Sequence, residues 1–543
     1  MNPEYVVKPS GSVALSSSDL EFKWGNDPSF WFQVIRKSDQ DVLFDTKGHA
    51  FVFENQFVEL KLNMRSDAHI SGFGDQVHAL ASEPGWMYTS WNADVGDIKD
   101  ANLYGTHQFF LETRYSKDGK DAQNHGVYWR NAHGSDTIYN RDQTLTWRFI
   151  GGTVDLYFFS GPSALSVTQQ YTAAIGLPAM HQYWTLGYHQ CAWGYRDWTE
   201  ILDSIGNYSD RGIPLETQWV DIDYMYWKGD FTVDQGQFRD DYTDKTLGLL
   251  HDNHQHFVPI IDAGVYYAPN NERGYTPWRR GADLDVYIKQ PDGQYFVGQV
   301  WPGDATWIDW THPSAGNFWT DEFITFHKEM PFDGIWIDMN EPSNFCDGSC
   351  GLWGSLPGPV NSGDRNVNDP PYKINNSKGP LNVGTVAPNA TYHDGSQHYD
   401  LHNIWGYQLL KGTNAAVSAT IPGKRPFIIG RSTFAGAGSV AGHWGGDNQA
   451  TWEAMAYSIP QALKFSLYGI PMFGVDTCGF GGDTTEELCG RWMQLAAFFT
   501  FYRNHYATGA VKHEAWSKSL TRWFLFFRYP RPDLWSKFAR LEC

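Results

Sequence analysis

The residues best placed for chemistry crowd into one stretch, Phe332 to Phe345, which reads FDGIWIDMNEPSNF. The apolar run Ile335-Trp336-Ile337 delivers Asp338 to an abrupt polar turn, Asn340-Glu341-Pro342, as a buried strand ending in an acidic tip. A strand followed by an acidic helix cap would look similar. Two carboxylates, an amide, a Met and a Trp side by side are too polar for a simple strand exit, so Asp338 reads as a catalytic carboxylate: acid, base or nucleophile. Other apolar runs end the same way, in Asp221, Asp262, Asp309, Arg431, His443 with Trp444 and Asp447, Asp476, and Arg503 with His505. Any one of these is equally a cap or a surface charge, and Asp262 and Asp309 remain readable as no more than that. Repetition on nearly every run is hard to explain by capping.

Such residues meet only if the strand ends share one face. From about residue 180 short apolar runs alternate with helical spacing, at TQWVDI, HFVPIID, ATWIDW, GIWID, PFIIG, SVAGHW, MFGVD and FTFYR. Helices fit between several of them, as at DWTEILDSIGNYSD and EELCGRWMQLAAFF. Eight such strands predict an α/β fold, a closed (β/α)8 TIM barrel over 166–530 whose strand C-termini form the site. The competing open doubly wound sheet lacks a Gly-rich phosphate fingerprint here. Residues 1–165 alternate apolar and polar in segments such as AFVFENQFVELKLNM, broken by Gly, Asp and Asn turns, and predict an N-terminal antiparallel β-sandwich. Residues 351–399, rich in Gly, Pro, Asn and Asp, read as a long surface loop beside the cleft.

A net charge of −20 excludes a nucleic-acid backbone as partner, since binding one takes concentrated Lys and Arg. No run approaches the roughly 18 apolar residues of a membrane span. The start, MNPEYVVKPSGS, lacks a signal-peptide pattern, so the protein is expected either in the cytosol or as a chain beginning after its signal. The 25 Trp, 29 Tyr and 34 Phe tilt the expected ligand toward sugars, whose C–H faces stack on rings. Cys346 and Cys350 bracket a tight turn, and Cys478 and Cys489 bracket a Gly-rich loop; both pairs can close small disulfide rings, and neither has a His at zinc spacing. With the sequons at Asn207, Asn375 and Asn389, they favour the secretory pathway: secreted, vacuolar or lysosomal, or endoplasmic reticulum. No motif specifies an oligomeric state.

WIDMNEP resembles the nucleophile signature of glycoside hydrolase family 31, in its α-glucosidase and maltase form. The resemblance runs over about residues 65–510 through HISGFGDQ, LYGTHQFFLE, LGYHQCAWGY, VDIDYM, VWPG, HNIWG, RPFIIGRSTFAGAG, GHWGGDN, VDTCGF and RNH, in that order. It implies a retaining exo-acting α-glucosidase that releases terminal glucose from maltose, malto-oligosaccharides or related glucans without metal or organic cofactor. Asp338 would be the nucleophile and Asp447 the general acid/base, with Arg431 keeping Asp338 charged and Trp444 partly burying Asp447. Asp221, Arg431 and His505 would bind hydroxyls of the terminal glucose. Trp301, Trp336, Met339, Trp444 and Phe480 would wall its subsite, with Ile222 and Trp193 shaping it; for Trp193, Met339 and Phe480 plain packing is an equal reading. Asp94, and more weakly Asn92, would reach over from the sandwich, while Asp223 would be a brace. The sequence departs from the family at Asp75, where Glu is usual, and in its last residues, 531–543, where family members continue into further β domains; the chain is therefore expected to be short at that end. A catalytically silent carbohydrate-binding relative and a glycoprotein-trimming glucosidase of the endoplasmic reticulum are the alternatives.

Overall fold

The computed structural model describes residues 16–96, 98–115, 120–349 and 365–517. The N-terminal part forms two five-stranded antiparallel sheets. Strand Phe57–Asn63 shows how sequence sets the faces: Val58, Leu60 and Leu62 are buried and the residues between them point outward. It pairs with Thr144–Phe149, placing Trp147 opposite Leu60. Trp147 packs between the sheets, its ring 5.3 Å from Trp129, 5.8 Å from Phe110 and 6.1 Å from Phe73, all on the facing sheet. A three-stranded antiparallel sheet (Leu20–Gly25, Trp31–Arg36, Val42–Asp45) adds Phe32 and Phe44 to that core.

The second part is an eight-stranded parallel barrel: β1 (Tyr188–Gln190), β2 (Thr217–Val220), β3 (His256–Ile261), β4 (Ile335–Ile337), β5 (Ile428–Gly430), β6 (Gly442–Trp444), β7 (Phe473–Gly474) and β8 (Tyr502–Asn504). Neighbours in sequence are neighbours in space, β8 pairs with β1, and a parallel bridge between Thr477 and Asn504 draws the β7 and β8 ends together. Side chains rather than water fill the interior, as barrels require: the Trp219 ring lies 5.9 Å from Trp336 and 5.5 Å from Phe501. The helix Trp198–Asp210 starts where Asp197 Oδ1 accepts from the Glu200 N–H, and Glu486–Ala496 where Thr485 Oγ1 accepts from the Leu488 N–H.

Two expectations are corrected. ATWIDW is not a barrel strand: Gly303–Thr306 pairs antiparallel with Val265–Tyr266 and Gly298–Val300 in a small separate sheet. Asp309 braces a loop there, accepting from Thr311 and from the His393 N–H. The missing strand is β1, a Tyr-His-Gln run that carries no apolar signal; its buried polar atoms pair locally instead, His189 Nδ1 accepting from Trp219 Nε1 at 2.9 Å. The described part of the 351–399 stretch, from 365, is irregular and partly exposed as expected of a loop, but it is not confined to the surface. It straps the two domains, with Val367, Ile374, Leu381 and Tyr399 in one apolar cluster with Trp91 and Ile150. The Tyr372 hydroxyl donates to Asp136, which also accepts from Thr89.

Of the sequon side chains, Asn375 is exposed, Asn207 is bonded to Arg211 on its helix, and Asn389 is only 3% exposed, which leaves no room for a glycan on the folded chain. Cys478 and Cys489 form a disulfide. Cys346 is disulfide-bonded, and Cys350 lies outside the described residues, as do 518–543 with the atypical end. Among the described residues no helix is long and apolar enough to cross a membrane.

Candidate active site

The barrel strands point their C-terminal ends at one cavity of about 170 Å³. Asp338 follows β4 directly, and the chain turns at once: Met339 holds φ 54°, in the left-handed region that a bulky residue rarely adopts. The turn aims the Met339 N–H back at Asp338 Oδ1, 2.7 Å away. Arg431 follows β5, Asp221 follows β2, His505 follows β8, and Asp447 lies on the loop after β6.

Arg431 is the centre of the site. Its guanidinium is buried and grips Glu341 in a two-point fork, Nε and Nη2 each 2.9 Å from a carboxylate oxygen. The same group lies 3.2 Å from Asp338, 3.3 Å from Asp94 and 3.7 Å from Asp447, and over the Tyr104 ring at 4.7 Å. Asp338 and Asp447 share one nitrogen, Nη1. Their near oxygens therefore cannot be farther apart than those two distances laid end to end.

One cation facing four carboxylates cannot keep all four ionised in a low-dielectric site. Burial pushes Asp447 well above the usual carboxylate range; Arg431 opposes this, and Asp338 and Asp94 add repulsion. Burial also raises Asp338, against the closer Arg431 contact and the Met339 N–H. Burial takes Glu341 up to about 7. Burial raises Asp94 too, but Arg431 and the Ser343 hydroxyl, 2.9 Å away, outweigh it and leave Asp94 below its usual range. Geometry ranks the facing pair: Asp338 has the shorter ion pair and a backbone donor, so it ionises first, while Asp447, 3.7 Å from the cation and repelled by Asp338 and Asp94, keeps its proton.

Opposite this cluster, His505 Nε2 lies 3.3 Å from Asp221 Oδ2, and the Ile222 N–H donates to Asp221 Oδ1. Burial holds His505 neutral, near 3, and raises Asp221 to about 6. Asp223 braces the wall by accepting from the Gly194 N–H at 2.6 Å, which positions Trp193. Ile222, Trp336 and Met339 line the inner surface, and Trp193, Trp301 and Phe480 form an aromatic rim. Every expected sugar-site residue thus lines the cavity except Trp444 and Asn92. The Trp444 side chain points into the barrel behind Trp336, 5.5 Å away, and the group against Asp447 is Tyr104, whose Oη accepts the Asp447 N–H. Asn92 is spent on structure, clamping Asn403 and Ser432.

Three residues of the site were missed. Glu341 was visible in the same polar turn but was taken as part of it. Asp476 and Phe345 line the cavity; Asp476 was marked only as one strand end among many. Cys478, Cys489 and His513 bring donor atoms within 4.8 Å of one another, but the two sulfurs are joined to each other and offer no thiolate.

Residues 178–530 match the glycosyl hydrolases family 31 TIM-barrel domain, and 4–136 match the glycosyl hydrolase 31 N-terminal galactose mutarotase-like domain. The chain belongs to glycosyl hydrolase family 31. It is 42% identical to an alpha-glucosidase of Aspergillus oryzae, covering 95% of this chain and 60% of that protein, and 41% identical to glucoamylase 1 of Candida albicans, covering 94% and 60%. A crystal structure of glucosidase II alpha subunit in a Glc1Man2-bound form superposes with a TM-score of 0.81 at 25% identity, over 94% of this chain and 57% of that one. The chain spans about 60% of the length of the curated relatives it matches.

Proposed function

We propose that the chain carries the catalytic centre of a retaining, exo-acting α-glucosidase that removes terminal glucose from maltose-like oligosaccharides and related glucans. The observation that carries this reading is the shared Arg431 nitrogen. It bounds the separation of Asp338 and Asp447 below most of the roughly 6.5–9.5 Å of inverting pairs and admits the about 5–5.5 Å of retaining ones. Asp338, ionised first, attacks the anomeric carbon while Asp447 donates its proton to the leaving oxygen. Asp447, now a carboxylate, takes a proton from water, and the hydroxide displaces Asp338. Asp221 and His505 present a carboxyl and a neutral imidazole to sugar hydroxyls. The loop bearing Asp94 crosses from the sandwich and narrows the cavity, which suits an end-acting pocket.

The names of the Aspergillus and Candida relatives support the maltose-type substrate, and their identity to this chain exceeds that of the glucosidase II alpha subunit. The Cys478–Cys489 disulfide and the exposed Asn375 acceptor support a route through the secretory pathway. The deciding experiment replaces Asp338 by Ala and follows p-nitrophenol release from p-nitrophenyl α-glucoside. The rate is expected to fall by at least about 10⁴-fold, and turnover at the wild-type rate would refute the assignment. NMR of the glucose first formed from p-nitrophenyl α-glucoside should show the α-anomer before mutarotation.

A further inference from the structure

A second cleft, of about 230 Å³, is larger than the catalytic cavity and is built mainly by the segments that follow β2 and β3. Its lip carries Tyr226 and Trp227, which are 44% and 56% exposed. Their backbone is unusual: Trp227, Lys228 and, across the cleft, Arg273 hold φ of 52°, 58° and 57°. Bulky residues rarely adopt the left-handed region and persist there where the surroundings hold them. Here the holding group is Arg273. Its guanidinium lies 4.3 Å from the Trp227 ring and 5.1 Å from the Tyr266 ring, a cation that clamps two aromatic faces in place while more than half of Trp227 stays open.

Deeper in the cleft, Tyr275 is only 5% exposed, with its hydroxyl closed off from solvent, so it contributes to the wall rather than a polar contact. One hydrogen bond links the cleft to the rim of the active site: Arg273 Nη1 donates to the carbonyl of Pro302 at 3.4 Å, and Trp301, the residue before it, lines the catalytic cavity. A rigid open indole, a polar lining and a link to the catalytic rim suit one class of ligand. A neutral pyranose ring stacks its C–H face on the indole and offers hydroxyls to Thr276 and Glu329, which line the cleft. An anion suits it less, since Glu329 also lines the cleft and the second cation, Arg280, is forked onto Glu322.

From this we infer that the cleft is a second carbohydrate site, holding an outer glucosyl residue of an α-glucan beside the catalytic mouth; the inference rests on the α-glucosidase reading above. The test compares wild type with Trp227→Ala and Trp227→Phe on two substrates, p-nitrophenyl α-glucoside and maltoheptaose, together with retardation in native gels containing soluble starch. In Trp227→Ala the short substrate should be cleaved with kcat/KM within about twofold of wild type. Maltoheptaose should lose about three- to tenfold, through KM, and starch retardation should weaken. Trp227→Phe should restore most of both. Unchanged maltoheptaose kinetics and gel mobility in Trp227→Ala would overturn the site, as would equal losses on both substrates, which would make Trp227 a support of the catalytic cavity. If the wild type cleaves neither substrate, the α-glucosidase reading fails by itself, and the starch gel still decides whether the cleft binds glucan.

Discussion

Arg431, just past β5, and Arg503, on β8, are both buried cations of the same barrel, and they are used in opposite ways. Arg431 divides its charge among Asp94, Asp338, Glu341 and Asp447, at distances from 2.9 to 3.7 Å. Arg503 gives two nitrogens to Asp476 alone, at 3.1 and 2.6 Å, and is packed among the rings of Trp336, Trp219 and Trp444. A cation owned by one carboxylate fixes geometry. A cation shared by four leaves some acids under-compensated, and this spreads their proton affinities apart, as acid and nucleophile roles require.

The contrast can be broken most forcefully at Arg431. Arg431→Met should cut turnover of an α-glucoside by more than about 10³-fold, because the nucleophile loses the cation 3.2 Å away. In Arg503→Met the expected loss is mainly of stability, about 3–5 kcal/mol, because Asp476 is left as an uncompensated buried charge. Chemical denaturation should show it, and adding Asp476→Asn should recover part. If Arg503→Met shifted the pH–rate profile as much as an Arg431 substitution does, the distinction would collapse.

A smaller effect concerns pH and rate. With Asp447 protonated in the free site, the rate should fall on the alkaline side as that proton is lost. In Asp447→Ala that limb should flatten for a dinitrophenyl α-glucoside, whose leaving group needs no acid. The smallest effect is on stability. Burial holds His78 and His443 near 3 in the folded chain, so below about 6.5 the unfolded chain takes up protons that the folded one refuses. These groups therefore lower stability progressively from about pH 6.5 down to 3. Denaturation midpoints in that range should fall less steeply with pH in His443→Gln.

The parts of the barrel legible in sequence were those whose strands run apolar into a charged tip. TQWV, IWI and PFIIG are buried on both sides and each carries apolar residues next to its end, so Asp221, Asp338 and Arg431 could be placed there. Tyr188–Gln190 could not be read, because its burial depends on hydrogen bonds to distant side chains. ATWIDW misled for the converse reason, being an apolar run buried beside the barrel rather than in it. Within the site, the resemblance put Trp444 against Asp447, but its side chain packs behind Trp336 and Tyr104, from the sandwich, takes that place. Glu341 was hidden by Asp338, since nothing local shows that a carboxylate three residues on turns inward to meet an arginine from the next strand.

The strap beginning at residue 365 also has a consequence for synthesis. Trp91 Nε1 donates to the carbonyl of Leu381, 290 residues further along, and the apolar cluster around Trp91 is closed by Ile374, Leu381 and Tyr399. At translation rates of about 5–20 residues per second, the interval between the two halves of that contact is about 15–60 s. The nascent sandwich must carry an uncovered tryptophan and isoleucine for that time, long after its own sheets have paired. Its last apolar seam is sealed only after four of the eight barrel strands have been made.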